Sequence, residues 1–176
     1  SSVTLFFIGE IMFLKPTEIF YRITDINAET LKKYNIKGLL IDVDNTLSTH
    51  GGQIPLENLG SWIEKMQSQN IKLYILSNAK KRRVEPFAKK VGLPFISLGL
   101  KPLPSGYLRG KSRMNLKSRN IAMVGDQLFT DVLGAKFCFM KTFLVRPILL
   151  EDKTSFKLRR SLENLCLKKE LKKFGE

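Results

Sequence analysis

Cysteine is scarce. Only Cys138 and Cys166 occur in the chain, each among apolar neighbours, which excludes a disulfide framework and a cysteine-based metal centre. Both read as small reduced core residues, as expected of a cytoplasmic protein. Long apolar runs are also lacking. The longest, VTLFFIGEIMFL within Ser1 to Leu14, is interrupted by Gly9 and Glu10 and is too short to span a bilayer. It has neither the basic start nor the small-residue cleavage site of a signal peptide. Residues 1–15 therefore read as an extension, with a leader, an alternative start at Met12 and an interfacial anchor all open. Acidic residues are few: 16 Asp and Glu stand against 30 Lys and Arg, giving a net charge of +14. Such a field draws phosphates, nucleic acid or an anionic bilayer. The excess of Lys over Arg and the absence of an aromatic stacking pattern disfavour sequence-specific reading of nucleic acid.

What is present fits one folded domain. A chain of 176 residues, 43% hydrophobic and 26% charged, has ordinary globular values and suits a single core. Thr17 and Asn27 are candidate helix caps, and residues 28–34 make a short helix. A strand opens at Gly38. A helix over 56–68 carries Leu59, Trp62, Ile63 and Met66 at helical spacing, a stripe expected in the core. Further strands are expected at 71–76, 95–98, 120–125 and 139–145. Between them lie a basic helix over 80–91, a helix after GLKPLP reaching about Lys117, and a helix carrying Asp131. Alternating strands and helices imply right-handed crossovers and an α/β fold, a doubly wound, mainly parallel sheet with helices on both faces.

In such folds ligands bind at the carboxyl ends of the strands, where this chain places its polar residues. The run GLLIDVDNTLS, Gly38 to Ser48, ends a buried strand on Asp42 and Asp44. A lone pair of that kind is more often an Asx turn. Here a second strand ends on Ser77 and Asn78, a third precedes Asp126 and Asp131, and Lys101 follows the strand between. Carboxylates, a hydroxyl and a cation converging on one edge suit phosphoryl transfer, which needs an in-line nucleophile and positive charge on the phosphate oxygens. Hard oxygen ligands in small number suit Mg2+. Backbone N–H groups of the turn at Asn45 and Thr46 can face a phosphate, and the Thr46 hydroxyl can bond a nearby carboxylate. Asn78 reads as a cap for the next helix, and His50, on a Gly-rich loop, as a solvated residue within reach of a substrate.

The ordered set DVDNT, Ser77, Lys101 and GDQLFTD resembles the haloacid-dehalogenase superfamily of phosphohydrolases. Within it the chain is most similar to the small IIIA branch and its YqeG-type members, related to phosphatidylglycerophosphatases. DNTL, KPLP, and GDQ followed by TD carry that narrower likeness. The resemblance implies Asp42 as the nucleophile forming a phospho-aspartyl intermediate and Asp44 as general acid and base. It implies Ser77 and Lys101 on the phosphate, with Asp42, Asp44, Asp126 and Asp131 around Mg2+. It further implies phosphatidylglycerophosphate as substrate. The gaps between motifs hold no cap domain, which leaves the site of the 16–150 domain open to a bulky or membrane-embedded phosphate. Residues 151–176 combine regularly spaced Leu and Phe with many Lys and Arg, a basic amphipathic helix that packs on the sheet or lies on anionic lipid.

Overall fold

The computed structural model describes residues 14–49 and 52–148. The expectations for the N-terminal extension, His50, Cys166 and the basic C-terminal helix fall outside the described residues. In chain order the elements are β1 (Glu18–Phe20), a 3-10 turn (Ile23–Asp25), α1 (Ala28–Lys33), β2 (Gly38–Ile41), α2 (Leu59–Ser68), β3 (Lys72–Leu76), α3 (Lys81–Val91) and β4 (Phe95–Ile96). Then come α4 (Pro104–Met114), a second 3-10 turn (Ser118–Asn120), β5 (Ile121–Gly125), a π-helical turn (Leu128–Val132), α5 (Leu133–Phe137) and β6 (Lys141–Val145).

The six strands form one sheet in the order β1-β6-β5-β2-β3-β4, and every pairing is parallel. Central β2 is buried throughout because both its faces are covered. Its side chains alternate between two cores: Leu39 and Ile41 join the cluster with Trp62, Met66 and Phe87, while Leu40 joins Tyr107, Met123 and Ala135 on the other face. Helices thus cover both faces, as the alternating pattern implies. Trp62 is core, and its indole N–H donates to Ile26 O at 2.9 Å. Cys138 is a buried free thiol. Among the described residues, one helix separates β2 from β3, and no insertion builds a cap.

Several boundaries differ from the sequence reading for local reasons. Thr17 caps no helix. Its N–H donates to Thr142 O at 2.9 Å, fastening β1, a strand the periodicity missed, to β6. Asn27 does cap α1, its Oδ1 accepting from Thr30 N at 3.0 Å. The helix expected from residue 56 starts at Leu59 because Asn58 is left-handed, and that expected to reach Lys117 ends at Met114 because Asn115 is left-handed. The strand expected over 95–98 stops at Ile96, since left-handed Leu98 leaves the sheet. Left-handed Phe139 likewise delays β6 to Lys141.

Candidate active site

The fold delivers the singled-out residues to one sheet edge from four adjacent strands: Asp42, Ser77 and Asp126 directly follow β2, β3 and β5, and Lys101 lies five residues past the edge strand β4. β2 gains one more ladder bond, Asp42 N to Val124 O at 2.9 Å, and then turns. The amides of Thr46, Leu47 and Ser48 all point at Val43 O, with Asn45 at a left-handed φ of 58°. That tight turn buries Asn45, Thr46 and Ser48. The Thr46 hydroxyl is buried with no hydrogen-bond partner among the described residues, so the carboxylate bond expected for it is not formed.

β3 delivers Ser77, whose backbone N–H pairs with Ile96 O at 3.0 Å and whose hydroxyl accepts from Ala79 N at 3.1 Å. Asn78 is not the expected cap. Lys80 occupies the N-cap of α3, and the Asn78 amide instead grips Lys101: Oδ1 accepts from Lys101 N at 2.7 Å and Nδ2 donates to Lys101 O at 3.0 Å. That clamp fixes the loop after β4 and directs the Lys101 side chain inward. Its ammonium lies 2.8 Å from Asp42 Oδ1 and 2.7 Å from Asp131 Oδ1.

β5 ends on Gly125, and the buried Asp126 follows. Asp131 belongs to the π-helical turn rather than to the expected α-helix. There its Oδ2 accepts from Gln127 N at 3.1 Å, and Tyr107, from α4, donates its hydroxyl to Thr130 O at 2.6 Å to hold the turn. Gly125 is required by this packing, because a Cβ there would meet the Asp131 carboxylate well inside contact distance. Asn78, Tyr107 and Arg83 are the site residues that sequence reading missed or misassigned. Asn78 had a signal in its adjacency to Ser77; the other two had none.

Asp42, Asp126 and Asp131 are all buried, with ligand oxygens within 4.8 Å of one another. Against these carboxylates stands, among the described residues, one buried ammonium, that of Lys101, so the fully ionised cluster carries excess negative charge away from water. Burial pushes the Asp42 carboxyl up to about 7; Lys101 opposes that rise, while Asp131 and Asp44 add to it. Burial disfavours the Lys101 ammonium, but Asp131 and Asp42 outweigh it and raise its pKa. An all-oxygen set with surplus negative charge fits a hard divalent cation. Asp44 sits apart at the rim, its Oδ1 2.7 Å from Nη2 of the half-exposed Arg83 in the first turn of α3.

A doubly wound parallel sheet whose central strand ends in a buried aspartate, facing two more aspartates and a lysine, defines a hydrolase architecture. The chain matches the haloacid dehalogenase-like hydrolase family over residues 7–138 and belongs to it. It is 36% identical over 155 residues to the probable phosphatase YqeG of Bacillus subtilis strain 168, a match covering 88% of this chain and 90% of that protein. The chain is a phosphatase of this family. Two solved structures share the fold. An uncharacterized protein from Listeria monocytogenes serotype 4b superposes with a TM-score of 0.57 at 15% identity, covering 68% of this chain and 84% of its own. The cobalt-bound deoxy-D-mannose-octulosonate 8-phosphate phosphatase of Haemophilus influenzae gives 0.51 at 16% identity, covering 78% and 90%. No helix of the described residues is long and apolar enough to cross a membrane.

Proposed function

We propose that the chain is a Mg2+-dependent phosphomonoesterase acting through a phospho-aspartyl intermediate on Asp42, with phosphatidylglycerophosphate as its favoured substrate. The observation that carries the chemistry is Lys101 held between Asp42 and Asp131 beside Asp126. An Asp42 carboxylate oxygen attacks phosphorus, and the bond to the leaving oxygen breaks. Asp44 leaves its Arg83 partner, takes up a proton from solvent as the substrate binds, and gives that proton to the leaving oxygen. Asp44 then takes a proton from water, whose oxygen attacks the same phosphorus and breaks the bond to Asp42, releasing inorganic phosphate. Ser77 and Lys101 bind the phosphate oxygens, while the Thr46 amide, directed at Val43 O, stays within its own turn. Asp42, Asp126 and Asp131, with Asp44 contributing from the rim, would hold Mg2+, which would supply charge compensation between the carboxylates and an incoming phosphate. A module that only binds phosphate would not set Asp42 and Asp44 against it, since like charges repel.

A site with no cap among the described residues supports a bulky substrate, and the sequence likeness to phosphatidylglycerophosphatases supports the lipid. Exposed Lys80, Lys81 and Arg82 beside the site make a phosphoprotein or a nucleic-acid end the second reading. Hydrolysis of p-nitrophenyl phosphate with and without Mg2+, by wild type and Asp42→Asn, tests the chemistry. Activity only in wild type with Mg2+ is the expected result, and equal activity of the two proteins refutes the mechanism. Phosphatidylglycerophosphate in mixed micelles, phosphopeptides and 5′-phosphorylated oligonucleotides then compete as substrates; no preference for the lipid removes the narrower reading.

A further inference from the structure

The loop that carries Lys101 into the site presents leucine to solvent. Leu98, Leu100 and Leu103 are 51%, 54% and 59% exposed, and Lys101 lies among them. Each occupies a position whose backbone favours a polar residue. Leu98 and Leu100 are left-handed, with φ of 48° and 55°, which is strained for a bulky side chain. Leu103 is the N-cap of α4 and makes no side-chain capping bond, where Asn or Ser would satisfy a free amide. Elsewhere the chain meets the same demand conventionally. Among the described non-glycine residues with positive φ, Asn35, Asn45, Asn58, Asn70 and Asn115 supply asparagine, and the exceptions are Leu98, Leu100 and Phe139. Local stability therefore does not explain these leucines, and neither does burial.

Their surroundings are cationic. Leu98 N donates to Ala79 O at 3.0 Å, placing the loop against the start of α3, where Lys80, Lys81, Arg82 and Arg83 are exposed. On the other side Arg109 donates to Leu98 O at 2.6 Å. A loop of exposed aliphatic side chains with Lys and Arg beside its Leu98 end matches a bilayer with anionic headgroups, the leucines entering the acyl boundary and the cations staying at the phosphates. We propose that the 98–103 loop is a membrane-contact element, docking the mouth of the active site onto an anionic bilayer. This rests on the reading of a lipid phosphate as substrate and adds how the enzyme reaches it: the segment that inserts is the one whose Lys101 side chain stands inside the site.

Flotation of the full-length protein with vesicles tests this. The vesicles are phosphatidylcholine alone, or phosphatidylcholine with phosphatidylglycerol. The variants are Leu98→Asn/Leu100→Asn/Leu103→Asn, and Phe139→Asn as a control. Phe139 is 85% exposed and left-handed but precedes β6, at the opposite end of the sheet. Wild type is expected to float with the anionic vesicles. The triple variant is expected to lose about tenfold or more in partitioning, the scale set by removing several inserted aliphatic groups. It should also melt no lower than wild type and hydrolyse p-nitrophenyl phosphate at the wild-type rate, while Phe139→Asn floats normally. The proposal is overturned if wild type does not float, if the triple variant floats like wild type, if Phe139→Asn loses as much, or if the triple variant loses p-nitrophenyl phosphate hydrolysis. A change in oligomeric state on light scattering with flotation intact assigns the leucines to a contact between copies and also overturns it. Failure of wild type to hydrolyse p-nitrophenyl phosphate refutes the enzymatic reading separately, since flotation is read without turnover.

Discussion

Asn78 and Lys101 grip each other through both amide atoms of the asparagine and both backbone groups of the lysine, at 2.7 and 3.0 Å. The pair converts a loop into a fixed mount, so the flexible lysine stem starts from a defined place. Replacing Asn78 by Ala removes both bonds. We expect phosphomonoesterase kcat/KM to fall by about 10- to 100-fold, the scale of a displacement near 1 Å at a reacting group. Steady-state kinetics check this, and an unchanged kcat/KM shows that Lys101 finds its place without the clamp.

Lys101 is the buried cation between Asp42 and Asp131, so Lys101→Met leaves carboxylates facing one another without compensation. Breaking a buried pair in this way costs about 3–5 kcal/mol. Chemical denaturation in a chelator should show that loss, and Mg2+ should restore more stability to the variant than it adds to wild type. Equal Mg2+ effects would place the cation away from these carboxylates.

Asp42 predicts a pH dependence for the metal-free protein. Burial raises its folded pKa from an ordinary 3.8 to about 7, so between these values the folded chain holds a proton that the unfolded chain has lost. Its contribution to stability is complete below about pH 4 and is lost as pH rises through 7, with a slope up to about 1.4 kcal/mol per pH unit. Asp42→Asn cannot ionise and should lack this loss. Denaturation in a chelator from pH 4 to 8 reads the difference, and parallel curves for the two proteins contradict it.

Gly125 is the contact point for the Asp131 carboxylate. Gly125→Ala pushes Asp131 away from Lys101 and from Gln127 N, which should weaken Mg2+ binding by about tenfold or more while the sheet still forms. Calorimetric Mg2+ titration measures the change, with circular dichroism confirming the fold.

Much of this was legible in the chain. Apolar runs ending abruptly on Asp42, Ser77 and Asp126 marked three strands and the edge where they meet, because a strand buried on both faces is apolar until it leaves the sheet. Lys101 was legible as a residue but not as a bridge, since its position depends on a side chain 23 residues away. β1 was missed because three residues carry too little period. The π-helical turn that carries Asp131 has no signal in the periodicity, and Tyr107, which bonds Thr130 O within it, lies on another element. Arg83 is one of several cations on the basic helix, and only folding brings it to Asp44.

Turnover is expected to phosphorylate Asp42. Protein quenched in acid while hydrolysing a phosphomonoester with Mg2+, then digested and read by mass spectrometry, should carry a phosphoryl group on Asp42 in wild type. Asp42→Asn should carry none. A phosphoryl group on Ser77, or turnover by wild type with Asp42 unmodified throughout, would rule out Asp42 as the nucleophile.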